Sequence, residues 1–421
     1  MNELVDISII DFDSIPNDSY WNTSAEKEQK MHRIHAYPAK FPAFITTKAL
    51  DFAERNNIKI SRIADVFCGC GTVAFESKRN NIPFWGCDIN PVATLVAKTK
   101  SCNYQQRYIN NYYSSILQDF NSMAQTDFDY KTNERLLYWY DTKHYKELHI
   151  LKKAIDKNIH KYSKYRLFFL CAFSNILKPT SRWLTKSIKP QIDPNKNPTD
   201  VIKAFQEQCR LMMIAIKESN NIGNIHTDII TGNFLKESIT PPVVDMIITS
   251  PPYVTSYEYA DLHQLSTLWL GYAEDYREFR KGSIGSIYHV YDFDRELKQL
   301  NTTGTTIVSE LLTKHKTKAC SVAKYFLDMQ LVTNKCHKMI SNGGLALFVI
   351  GNTEYKGVKI NNVKHLAESL QNCGFRKLYV TKRKIQQKIL TPYRNLLGRF
   401  STEFATSRKV YNEEFILVGI K

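Results

Sequence analysis

At 421 residues the chain is long enough to bury a large core and exceeds what one average domain needs. Hydrophobic residues at 43% and charged residues at 23% exclude a chain that is disordered throughout. A formal net charge of +16 at pH 7 favours a polyanionic partner, nucleic acid first, although a lysine-rich surface kept for solubility would give the same number.

The N-terminus has no basic start followed by an apolar run, so no signal peptide is expected, and residues 1–30 are expected to be a polar arm. From residue 62 a regular alternation begins. RIADVF (62–67) predicts a strand, CGCG (68–71) a glycine turn, and TVAFESKRN a helix. PFWGCDI (83–89) predicts a second strand, and NPVATLVAKTK a second helix, with Pro91 suited to its first turn. This β-α-β-α unit implies a parallel sheet. The pattern then breaks. Residues 101–225 are rich in lysine, arginine and tyrosine and have mostly helical spacing, which predicts a helical insertion. Its most apolar stretch, LFFLCAFSNIL (167–177), is too short to cross a bilayer and reads as a buried helix. Strands resume at 226–231, 243–249 and 345–351, with an irregular excursion expected over 272–330. KLYVTKRKI and EEFILVGIK then predict a C-terminal antiparallel hairpin. The expected fold is an α/β, Rossmann-like sheet. A catalytic domain at 31–100 and 226–421 would be split by the insertion.

The nine cysteines include no C-x-x-C pair, which argues against a structural zinc site and a disulfide framework and fits a reduced, cytoplasmic setting. Asp65-Val66-Phe67-Cys68-Gly69-Cys70-Gly71-Thr72 ends a strand and opens a helix. Glycines there let the backbone approach a ligand closely. Asp88, ending the next strand, can accept hydrogen bonds from both hydroxyls of a ribose. Alone, these features suit S-adenosylmethionine, a nicotinamide dinucleotide or an empty tight turn. Thr249-Ser250-Pro251-Pro252-Tyr253 directly follows an apolar strand, and the carboxyl ends of strands in a parallel sheet are where ligands bind. Two prolines stiffen the backbone there, and Tyr253 offers a flat face for a base.

Together these motifs resemble the amino-methyltransferases of DNA, the N4-cytosine and N6-adenine group, over about half of the chain. Asp65–Thr72 resembles that family's cofactor loop, with Phe67, Cys68, Gly69 and Gly71 at the turn. Asp88 and Ile89 match its ribose-binding end, and Gly232-Asn233-Phe234 its adenine-contact turn. His35-Ala36-Tyr37-Pro38-Ala39-Lys40-Phe41 resembles the element that closes over the methionine end of the cofactor, through Tyr37 and Phe41. Ser250–Tyr253 matches the catalytic tetrapeptide, and the cofactor loop precedes it.

The resemblance implies S-adenosyl-L-methionine as cofactor, no metal, and catalysis by Ser250, Pro251, Pro252 and Tyr253 on a base flipped out of double-stranded DNA. A tetrapeptide that begins with Ser implies N4 of cytosine. N6 of adenine is the alternative, and outside this class stand an NAD-dependent oxidoreductase or a catalytically idle DNA-binding relic. No Pro-Cys dipeptide is present, which disfavours methylation at C5 of cytosine. Recognition is expected from the insertion, through Arg182, Trp183, Lys186 and Lys189, and from Lys382, Arg383 and Lys384 near the hairpin loop. A cognate restriction endonuclease is a candidate partner, and the enzyme is expected as a monomer or dimer.

Overall fold

A computed structural model describes residues 2–4, 7, 9–23, 27–125, 129–184, 190–219, 222–254, 259–286, 292–385, 393–394, 408–409 and 413–421. The central sheet contains β1 (Asn2–Leu4), β2 (Ile63–Asp65), β3 (Phe84–Asp88), β4 (Thr227–Thr231), β5 (Val244–Thr249), β6 (Ile340–Ile350), β7 (Lys377–Lys384) and β8 (Glu413–Ile420). Their spatial order is β1-β7-β8-β6-β5-β2-β3-β4. Strands β2 to β6 are parallel to their sheet neighbours among themselves, and β8 runs antiparallel to both β6 and β7. The expected C-terminal hairpin is therefore present, with β8 lying between β6 and β7.

Parallel strands need both faces covered, and β6 shows how. Leu345, Leu347 and Val349 join one apolar cluster, with Ile45, Ala49 and Val73 from the helices Phe44–Arg55 and Thr72–Arg79. Ala346, Phe348 and Ile350 face the other way, into a cluster with Val322, Phe326 and Leu366 from the helices Lys316–Met339 and Asn362–Asn372. The strand order reverses between β2 and β5. Such a reversal opens a crevice at the carboxyl ends of the two strands, where ligands of open α/β sheets bind.

Five helices fill most of the insertion: Gln106–Ala124, Glu134–Trp139, Thr142–Asn158, Lys164–Ile176 and Val201–Ser219. Leu148, Phe168, Phe173 and Phe205 form their core, which also takes in Phe75 and Val96 beside the glycine turn. The insertion is thus packed directly against the helices Thr72–Arg79 and Pro91–Ser101.

Two expectations are corrected. The segment 1–30 is no loose polar arm. β1 pairs with β7, Asp18 N donates to Lys382 O at 2.9 Å, and Ile7, Phe12 and Trp21 are buried. These apolar residues follow no helix or strand period, because they come from a chain laid along a sheet edge. The excursion at 272–330 is irregular only in its first part. Helices Thr302–Lys314 and Lys316–Met339 occupy the rest. The run TTGTT is a poor helix former, but Asn301 Oδ1 caps Gly304 N at 2.8 Å and buried Ile307, Val308 and Leu311 hold the helix in place.

Candidate active site

β2 ends at Asp65, and the chain turns through Gly69 and Gly71 into the helix Thr72–Arg79. Both glycines have positive φ, +47° and +73°. Gly71 has a second constraint, since a Cβ there would lie 2.6 Å from Ala97 Cα. Asp65 is buried and cross-links the two strands that flank the crevice. Thr249 Oγ1 donates to its Oδ1 at 2.6 Å, and Phe67 N donates to the same oxygen at 3.1 Å. Burial pushes the Asp65 carboxyl up to about 7 against these two bonds.

The turn opens onto a cavity of about 330 Å³, within the range of small-molecule pockets. Of the residues the sequence nominates for the cofactor, Tyr37, Phe67, Gly69, Asp88, Ile89, Asn233 and Phe234 line it. Asp65, Cys68, Gly71 and Thr72 do not; all four are buried or pack behind the turn and shape it. Phe41 packs against the cluster on the Phe44–Arg55 side instead of the cavity. Tyr37 is backed by the ring of His263, stacked at 4.9 Å, and burial holds His263 well below the usual histidine range, so the platform is uncharged.

Asp88 lines the cavity beside the glycine turn. Its Oδ2 accepts from Gly69 N and its Oδ1 from Asn90 N, both at 2.8 Å. Burial raises its carboxyl to about 6, and no cation among the described residues pairs with it. Each oxygen keeps a lone pair for a neutral donor. A ribose diol supplies two such donors and no charge, so the site fits the nucleoside part of S-adenosylmethionine.

Ser250, Pro252 and Tyr253 also line the cavity, while Pro251 is buried and does not. Ser250 Oγ donates to Val349 O at 2.9 Å, and Tyr253 Oη donates to Glu414 Oε1 at 2.7 Å. A third wall escaped the sequence reading. Arg280, Gly282, Ser283, Ile284, Gly285, Ser286, Lys318 and Ser321 also line the cavity. Arg280 is held by Asp261 at 2.7 Å, Gly282 O accepts from Asn233 Nδ2 at 3.0 Å, and Gly285 N donates to Asp328 Oδ2 at 2.9 Å. The two glycines of KGSIGS, at positive φ, were the available signal.

The nominated DNA contacts fare differently. Trp183 is 1% exposed and stacked on Trp139 at 4.7 Å, so it is a core residue of the insertion. Lys382 and Arg383 are also buried. Lys382 Nζ reaches Asp13 O at 2.6 Å and Glu413 at 3.4 Å, and Arg383 pairs with Glu414 at 3.3 Å. Their charges are met by the neighbouring strand and the N-terminal segment, not by a polyanion. Arg182 Nη2 donates to Tyr138 O at 2.6 Å, and Lys384 is exposed. Lys186 and Lys189 lie outside the described residues.

The chain is similar to known methyltransferases. The chain is 22% identical over 386 residues to the type II methyltransferase M.MvaI of Kocuria varians, covering 85% of this chain and 84% of that protein. It is 22% identical over 421 residues to the type II methyltransferase M.BsoBI of Geobacillus stearothermophilus, covering 86% and 82%. Among solved structures, the rRNA methyltransferase aviRa of Streptomyces viridochromogenes aligns over 96% of both chains at 8% identity, with a TM-score of only 0.31. The model of the D12 class N6 adenine-specific DNA methyltransferases matches residues 51–281, more than half of the chain. The nicotinamide reading falls with this family match, and the cofactor is S-adenosyl-L-methionine. The chain is a DNA methyltransferase and belongs to the D12 class N6 adenine-specific DNA methyltransferase family.

Proposed function

We propose that the enzyme methylates the exocyclic N4 of cytosine in DNA, on a base flipped out of the duplex into the cavity beside Ser250. One observation carries the reading of the site. Ser250 gives its only hydroxyl proton to Val349 O, so its oxygen faces a ligand as an acceptor. The lone pair of an exocyclic amine is delocalised into the ring. An acceptor holding one of its N–H groups favours a more tetrahedral, more nucleophilic nitrogen. Ser250 Oγ would hold one N–H, while Tyr253 stacks on the base. When bound, the cofactor supplies a methyl group already activated by its sulfonium charge, so positioning dominates the chemistry. Asp88 and Gly69 would anchor the nucleoside end of the cofactor, and Tyr37 the other end.

The choice of base rests on Ser at the first position of the tetrapeptide. N6 of adenine is the second reading, favoured by the description of the matched family. Both are conjugated amines, and one acceptor geometry serves either. We place target recognition in the insertion at 101–225, which carries 19 lysines and arginines against 11 acids. A cognate restriction endonuclease suits this reading, since both relatives are named as type II methyltransferases.

The test is transfer of labelled methyl from S-adenosylmethionine to unmethylated plasmid DNA. Wild type should label the DNA. Ser250→Ala should turn over about 10- to 100-fold more slowly at unchanged adenosylhomocysteine affinity, as expected when an acceptor used mainly in the transition state is lost. Full turnover by Ser250→Ala would contradict the role.

A further inference from the structure

Tyr253 is fixed from one side by three residues that lie far from the tetrapeptide in sequence. Its hydroxyl donates to Glu414 Oε1 at 2.7 Å. The other oxygen of Glu414 meets Arg383 Nη1 at 3.3 Å, and the Arg383 side chain is 4% exposed. Glu414 and Arg383 are register partners across β8 and β7. On the other edge of β8, Phe415 pairs with Ile350, which brings Glu414 beside Gly351. A Cβ on Gly351 would lie 3.2 Å from Tyr253 Cε2, so the ring crosses bare backbone to reach the carboxylate. Gly351 is itself held, because Asn362 Nδ2 donates to its carbonyl at 2.8 Å.

A stacking ring attached to a proline-stiffened turn still rotates about its side-chain torsions unless something holds its tip. Burying a carboxylate next to a tyrosine without a counter-charge would be costly, and Arg383 supplies that charge. We propose that Glu414 is a positioning residue for the reaction: it holds the Tyr253 ring in the orientation that stacks on the target base, and Arg383 holds Glu414. The proposal rests on the reading of this cavity as the site of a flipped base. It gives the C-terminal hairpin a part in substrate binding, and it gives the buried Arg383 a function other than contact with DNA.

The experiment compares wild type, E414A, E414Q, Y253F and the double variant E414A/Y253F, with unmethylated plasmid DNA and labelled cofactor. Kinetic constants for DNA are measured beside adenosylhomocysteine affinity and the thermal midpoint. E414A and Y253F should each lose about 10-fold in kcat/KM for DNA, with adenosylhomocysteine affinity within twofold of wild type. The double variant should be no worse than either single one, because both remove the same bond. E414Q keeps an acceptor for the tyrosyl proton but loses the pairing with Arg383, and should fall between E414A and wild type. An E414A enzyme with wild-type kinetics overturns the proposal, as does a double variant whose losses multiply. So does an E414A defect that appears equally in adenosylhomocysteine affinity, which would mark a general structural role. A wild-type enzyme that labels no DNA overturns the reading of the site, and the proposal with it.

Discussion

Asp88 and Ser250 both line one cavity, and each is prepared by backbone. Burial raises the Asp88 carboxyl to about 6 against the two N–H groups it receives, with no charge partner among the described residues to offset it. A raised carboxyl is ionised only above that value, and the ionised form is the stronger acceptor for ribose hydroxyls. Adenosylhomocysteine affinity should therefore be flat from pH 8 down to about 7 and fall as pH drops through about 6. Calorimetry across pH 5 to 8 checks this, and affinity unchanged at pH 5 would contradict it. Asp88→Ala should cost about 1.5–3 kcal/mol of binding at pH 8, the range for hydrogen bonds to a charged group. Both residues were legible in the sequence, because each stands at the end of a buried strand at a fixed place in a motif. Arg383 was not. The acid that neutralises it sits on a neighbouring strand, and a basic run in a sequence does not reveal which of its charges the fold pairs internally.

At the scale of elements, the strands were legible because buried parallel strands are short apolar runs bounded by turns. What tied them to the insertion was not. The segment carrying Tyr37 is strapped to the insertion by polar contacts. Ala36 N donates to Asn175 Oδ1 at 2.8 Å, Gln208 Nε2 donates to Ile34 O at 2.7 Å, and Asn175 Nδ2 joins Gln208 Oε1 at 2.7 Å. Asn175→Ala cuts two of these bonds, one of them to a backbone N–H beside the cavity wall. It should weaken adenosylhomocysteine binding by about 1 kcal/mol, roughly the worth of one net hydrogen bond, with little change in thermal midpoint. Unaltered affinity would show that Tyr37 holds its place without the strap. The wall at 280–286 was legible only in its two glycines: its shape is set by Asp261 and Asp328, and no local pattern announces those partners.

For the whole molecule the governing quantity is the net charge of +16, half of which falls within 101–225 by its 19 basic against 11 acidic residues. A protein that neutralises phosphates releases counterions, and its affinity falls steeply with salt. DNA affinity should drop at least about tenfold between 50 and 200 mM salt, measured by fluorescence anisotropy, while adenosylhomocysteine affinity stays constant. DNA binding indifferent to salt would mean that the surplus charge serves another purpose. The central claim, methyl transfer to an exocyclic amine held by Ser250, has a direct test. DNA labelled by the wild-type enzyme with isotopic S-adenosylmethionine is digested to nucleosides, and the labelled nucleoside is identified by mass spectrometry. The account predicts label in N4-methylcytosine. Label in N6-methyladenine would contradict the choice of base alone, and label in 5-methylcytosine would contradict the mechanism.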